Sequence, residues 1–183
     1  FLDLSAGDDQ PDIEGQLIQE LTVARRLWLN LSLRAAIQRP GTRERRVAPP
    51  AAFLVPAGAA TTLQWDPGDD FAIDFAPQYR FTREFAAGLT LGYRTRGRDR
   101  YTFGAAQDSI DLAARLGEPT PASLLDQGTA TQRLRLGVAV TYVGPWLEGD
   151  VAIERTVSAP EGSGPVPDAT VFRIVLRATR KLF

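Results

Sequence analysis

The chain contains no histidine, no cysteine and no methionine, and a single lysine, Lys181, among its basic residues. Without histidine there is no Ser-His-acid triad, no imidazole base and no histidine zinc site. Without cysteine there is no disulfide framework and no thiolate metal site. Charge of one sign is missing as well. Lys+Arg is 21 against Asp+Glu 22, so no net field points to nucleic acid. Also absent is an apolar run long enough to cross a membrane as a helix. The sequence begins at Phe1 without Met or a signal peptide, as expected of a processed mature protein or a fragment. Its 183 residues suit one domain, 1–183.

What is present is alternation. In residues 27–38, Leu27, Leu29, Leu31, Leu33, Ala35 and Ile37 fall on one face, and Trp28, Asn30, Ser32, Arg34 and Gln38 on the other. Residues 132–143 repeat the pattern, with Leu134, Leu136, Val138, Val140 and Tyr142 opposite Arg133, Arg135 and Thr141. Leu89, Leu91 and Tyr93 oppose Thr90, Gly92, Arg94 and Arg96, while Phe71, Ile73 and Phe75 oppose Asp74 and Arg80. Val151 and Ile153, then Phe172, Ile174 and Leu176, continue the series in residues 147–156 and 170–182. Period-two patterning of this kind predicts β-strands. Residues 13–24 are less regular, and Phe1–Ser5 reads as a strand already under way.

Two features point beyond an ordinary sheet. The strands run about 10–12 residues, the length that crosses a bilayer at a tilt, against about 5–6 in most sheets. Short connections at 25–26, 82–84 and 144–145 alternate with long ones at 39–69, 97–130 and 159–169. Membrane barrels show that asymmetry, with short periplasmic turns and long extracellular loops. Aromatics gather beside the short turns: Trp28, Phe81, Phe85, Tyr142, Trp146 and the terminal Phe183 form an expected girdle.

In these respects the chain resembles the bacterial outer-membrane β-barrel proteins. The resemblance spans nearly the whole length and includes a last strand ending in an aromatic, although Arg180 and Lys181 interrupt its alternation. It implies an all-β fold, an antiparallel up-and-down transmembrane β-barrel of about eight strands, or the C-terminal part of a larger one. It implies residence in the bacterial outer membrane, with lipid and lipopolysaccharide as surroundings and other subunits of a surface assembly as partners.

On that expectation the faces divide. Leu29, Leu31, Leu33, Leu89, Leu91, Leu136, Val138, Val140, Ile174 and Leu176 meet lipid. Arg34, Asp74, Arg80, Arg94, Arg96, Arg133, Arg135, Glu148, Asp150, Glu154, Arg173 and Arg177 line the lumen. Neighbouring strands there oppose unlike charges, which favours their pairing. The lumen is either a polar channel or an interior filled by arginine–carboxylate ladders.

The expected function is a passive porin-like channel or the membrane anchor of a surface assembly, with neither cofactor nor metal. The alternative is a soluble lipocalin-like barrel that turns its apolar faces inward around a hydrophobic ligand. Glu148 and Asp150 have acid–base chemistry, but arginines oppose them and no substrate pocket is implied, so no enzyme is expected. Asp8, Asp9 and Asp12, and Asp66, Asp69 and Asp70, lack the spacing of a calcium loop and read as solvated turns. Arg98 and Arg100 are placed to meet lipopolysaccharide phosphates at the rim.

Within the long loops, Asp108 to Gly117 reads as a short capped helix and Thr120 to Gly128 as another. Val47 to Ala60 is apolar for an exposed loop, suited to plugging a barrel or docking a partner. Pro77, inside a strand, predicts a bulge near Ala76 to Gln78.

Overall fold

The computed structural model describes residues 12–49, 52–158 and 168–178. Ten strands, one α-helix and two short 3-10 helices follow one another in the order β1 Ile13–Ala24, β2 Leu27–Ile37, β3 Gly41–Arg46, β4 Ala60–Asp66, β5 Asp70–Arg80, β6 Phe85–Arg96, β7 Arg100–Phe103, α1 Ala106–Leu116, β8 Thr131–Val143, β9 Leu147–Ser158 and β10 Ala169–Ala178; the 3-10 helices are Ala57–Ala59 and Ala122–Asp126. The fold is all-β and mostly antiparallel. No helix is long and apolar enough to cross a membrane among the described residues.

Seven long strands make one sheet in the order β1-β2-β5-β6-β8-β9-β10. Each neighbour follows its predecessor in the chain once the long connections are skipped, as in a meander. The pairings of β8 with β9 and of β9 with β10 are antiparallel, with Val138 opposite Ile153 and Ile174 opposite Val151. Backbone bonds close the short-turn end: Arg80 N donates to Arg26 O at 2.8 Å, and Val143 N to Glu84 O at 2.7 Å. The expected barrel of about eight strands meets seven here, and the sheet does not close among the described residues. Its edges are β1 and β10, exposed along their whole lengths. Phe1–Ser5 and Phe183 lie outside the described residues. β5 runs through Pro77 as one strand from Asp70 to Arg80.

The chain divides into two compact units, one carrying most of this sheet and the other built on Ala36–Asp70 and Arg96–Ala130. The second unit corresponds to the two long connections, and it is folded rather than loose. β3, β4 and β7 form a second sheet in the order β3-β4-β7. Val47, Leu63, Trp65, Tyr101, Leu112 and Ala122 form its core, with Phe103, Leu116 and Leu125 packed alongside. Trp65 and Tyr101 stack at 6.3 Å between ring centroids, and the Arg43 guanidinium lies 3.9 Å from the Trp65 centroid.

The expected helix is present and begins two residues before Asp108. Asp108 Oδ2 accepts the Ala105 amide at 3.0 Å, supplying one of the bonds that a helix start leaves open. Gly117 ends it at φ 81, a conformation that costs glycine little. The second expected helix is the 3-10 segment Ala122–Asp126. The apolar stretch after Val47 is split. Val47 and Ala59 are buried, whereas Phe53 is 97% exposed.

Candidate functional site

On β8 and β9 the two faces of the seven-stranded sheet differ, with the apolar side chains the more exposed. Along β8, the apolar Leu134, Leu136, Val138 and Val140 are 42%, 43%, 50% and 50% exposed. Arg135, Gly137, Ala139 and Thr141, between them, are half-buried. On β9, Val151 and Ile153 are exposed while the intervening Ala152 is buried. Leu89, Leu91, Ile174 and Leu176 are exposed as well, and Leu29, Leu31 and Leu33 are half-buried. On β8 and β9 the less exposed face is therefore the charged one, whereas on β2 Arg34 is exposed and the leucines are half-buried.

The cover comes from ion pairs. Arg135 on β8 places an Nη2 atom 2.6 Å from Asp74 Oδ1 on β5, and its Nη1 lies 3.8 Å from Glu154 on β9. β6 lies between β5 and β8, and the pair meets above Gly92. A Cβ there would come within 2.7 Å of Asp74 Oδ1 and 3.0 Å of Arg135 Nε. Gly137 plays the same part on β8, where a Cβ would come within 2.7 Å of Glu154 Cγ. Glycine on this face gives long charged side chains room to lie across a strand.

Toward the short turns the pairing is one to one. Arg173 reaches Asp150 at 3.2 Å, and Arg177 lies 3.6 Å from Glu148. Thr141 Oγ1 lies 3.2 Å from Asp150 Oδ2, its hydroxyl donating to the carboxylate. Both carboxylates with acid–base chemistry, Glu148 and Asp150, thus face arginine. Arg80 donates to Arg83 O at 2.6 Å and stands with its guanidinium 5.9 Å from the Trp28 ring centroid. Trp28 therefore lies with a polar-face residue, as its position between Leu27 and Leu29 dictates.

Arg96 differs from its neighbours. Its guanidinium pairs with Asp99 at 3.2 Å within the smaller unit. Asp99 is buried and also accepts Trp65 Nε1 at 3.2 Å and Gly68 N at 3.0 Å. Arg98 and Arg100 are exposed. Asp69 Oδ1 accepts the Gln38 amide at 3.1 Å, and no group of three metal-ligating side chains gathers among the described residues.

The other residues of the expected girdle lie near the short turns. Phe85 and Tyr142 meet at 5.0 Å and Tyr79 and Phe81 at 5.1 Å between centroids, and Trp146 is exposed. Tyr79 belongs with them, and its odd-numbered place on the face of Ile73 and Phe75 was a readable signal.

Arg155 is the residue that sequence reasoning passed over. On β9 it stands opposite Leu136 and Thr170, on the apolar face. Its exposed side chain shares a groove with Leu89, Leu91, Leu136, Val138 and Ile153. A break in the alternation of Val151, Ile153 and Val157 marked it. Comparison with protein families, with curated proteins and with solved structures finds no match for this chain.

Proposed function

We propose that the seven long strands are the wall of an outer-membrane β-barrel, with the apolar face toward lipid and the charged face around a passive pore for small solutes. The observation that carries this reading is the inverted burial of β8. A face of Leu134, Leu136, Val138 and Val140 left open, beside a half-buried face of Arg135, Gly137, Ala139 and Thr141, suits a hydrocarbon surround. In the alternative lipocalin-like arrangement the same leucines and valines would be the covered set.

Strand length supports the reading too. β8 has 13 residues and β9 has 12, enough to span a bilayer when tilted at about 45°. In lipid no water satisfies a strand edge, so β1 and β10 must join each other or further strands. The smaller unit is built from the two long connections, 39–69 and 97–130. Its exposed Phe53 and Leu54 support a second role as the attachment point of a surface assembly.

The test is fractionation followed by gel migration with and without boiling. The reading expects recovery with outer membranes, a heat-dependent mobility shift, and conductance steps once the protein is placed in planar bilayers. Recovery as an aqueous monomer that binds an apolar dye would overturn it.

A further inference from the structure

We infer that the apolar face carries a seat for an anionic, phosphate-headed membrane lipid, with Arg155 holding the phosphate and a groove beside it holding an acyl chain. The inference rests on the barrel reading and names a partner of that same wall. Arg155 is out of place on its face. Of the residues that alternate onto the apolar face of β6, β8, β9 and β10, it alone is charged. Its cross-strand neighbours are Leu136 on β8 and Thr170 on β10, and neither is a carboxylate. A charged side chain among lipid-facing positions calls for a partner, and these neighbours supply no anion.

Strand register builds the groove. A Cβ at Gly92 would come within 3.3 Å of the Arg135 Cβ, so these residues stand side by side on β6 and β8. The bond from Val143 N to Glu84 O keeps the same alignment. Two rows follow from it. Leu91, Leu136, Arg155 and Thr170 form one, and Leu89, Val138 and Ile153 form the next toward the short turns. The groove along them has a volume of about 520 Å³, within the range of small-ligand sites. The leucines, Val138 and Ile153 supply its apolar wall, and Arg155 and Thr170 stand at the end away from the short turns. A chain lying along that wall would put its headgroup at Arg155, three residues before β9 ends at Ser158. The guanidinium fork matches a phosphate, and the Thr170 hydroxyl adds a donor beside it. Charge complementarity thus selects an anionic head, and the apolar wall selects a lipid over a free phosphate.

The experiment folds the full chain in mixed micelles and counts retained lipids by native mass spectrometry. Phosphatidylglycerol and phosphatidylcholine with the same acyl chains are the probes. The expected result is one phosphatidylglycerol held in preference to phosphatidylcholine. Arg155→Gln should reduce that preference roughly fivefold, the contribution of one arginine at an anionic membrane surface. Val138→Phe keeps the charge but fills the groove, and should also weaken retention of phosphatidylglycerol. Heat-dependent mobility certifies the fold of both variants; if Val138→Phe loses it, Val138→Leu replaces it. Equal retention of the two lipids, or a preference indifferent to Arg155→Gln, would overturn the inference. A preference that needs Arg155 but ignores the filled groove would overturn the seat for the chain. A protein that stays aqueous without heat-dependent mobility would instead sink the barrel reading, and the lipid seat with it.

Discussion

Arg135 and Asp74 meet at 2.6 Å although the whole of β6 lies between their strands, and Gly92 is what lets them. Their contact ties β5 to β8 directly. Gly92→Leu should separate the pair, because its Cβ alone would come within 2.7 Å of the carboxylate oxygen. Both partners are more than 40% exposed on their side chains, so the electrostatic loss is small, about 0–1 kcal/mol. The larger effect is steric, about 1–3 kcal/mol for forcing added atoms into a packed place. Urea unfolding of the micelle-bound protein checks this. Gly149→Leu is no substitute control, since a Cβ at Gly149 meets Leu176 on the opposite face.

Asp99 gathers Trp65, Gly68 and Arg96 around one buried carboxylate. Asp99→Ala would leave the Trp65 indole N–H and the Gly68 amide without that acceptor, and the Arg96 guanidinium without its pair. A destabilisation of about 1–3 kcal/mol follows for the smaller unit, chiefly from the buried donors left unsatisfied, since Arg96 reaches solvent. Limited proteolysis should then cut within 97–130, while the long strands stay resistant and keep their heat-dependent mobility. Unchanged resistance throughout would mean that Asp99 does not hold this unit together.

The open edges lead to a statement about exchange. If the sheet closes in lipid, amides of β1 and β10 should exchange with deuterium as slowly as those of β8. Fast exchange confined to Ile13–Ala24 and Ala169–Ala178 in a folded, membrane-inserted protein would show two free edges. Unpaired strand edges do not persist in hydrocarbon, so that result would count against the barrel.

How far the sequence could be read depends on where the determining contacts lie. The long strands are legible because most carry their own alternation, and three of the six connections between them are short turns. β3 is not legible: Gly41–Arg46 reads Gly-Thr-Arg-Glu-Arg-Arg, with no apolar residue. It pairs with β4, where Leu63 and Trp65 are buried under a core shared with Tyr101 and Leu112. Those pairs, Leu63 with Trp65 and Tyr101 with Phe103, do alternate, but over only four to seven residues. The long connections therefore read as loops.

The charged face shows the same division. Its membership follows from parity, and so does the placement of Trp28 beside Arg80. The partners do not follow, because Asp74 and Arg135 are 61 residues apart and their meeting depends on a glycine in a third strand. Arg96 stands in step with Arg94, yet Asp99, three residues on, takes its guanidinium.

Arg155 supplies the sharpest test of orientation, because one strand then carries the same side chain at two depths. Eight residues separate it from Leu147, the first residue of β9 after the short turn. At about 3.3 Å per residue and a tilt of about 40°, that is roughly 20 Å above the turn. The apolar band of membrane barrels is about 25 Å tall, so in the proposed barrel Arg155 would stand close to its far boundary, where a long side chain would extend into the headgroups. Val151 lies four residues lower on the same face, near the middle. Val151→Arg should therefore cost about 2–4 kcal/mol of folding into lipid vesicles, whereas native Arg155 costs about 0–1 kcal/mol. Val138→Arg, opposite Ile153 on β8, should match Val151→Arg, and Leu31→Arg should behave alike on β2. Ser32→Arg and Ala139→Arg, on the charged face, should be tolerated. Folding yield in vesicles, read from heat-dependent mobility, measures all five. Equal tolerance at Val138 and Ala139 would remove the lipid-facing assignment, and Arg155 would then be an ordinary exposed arginine.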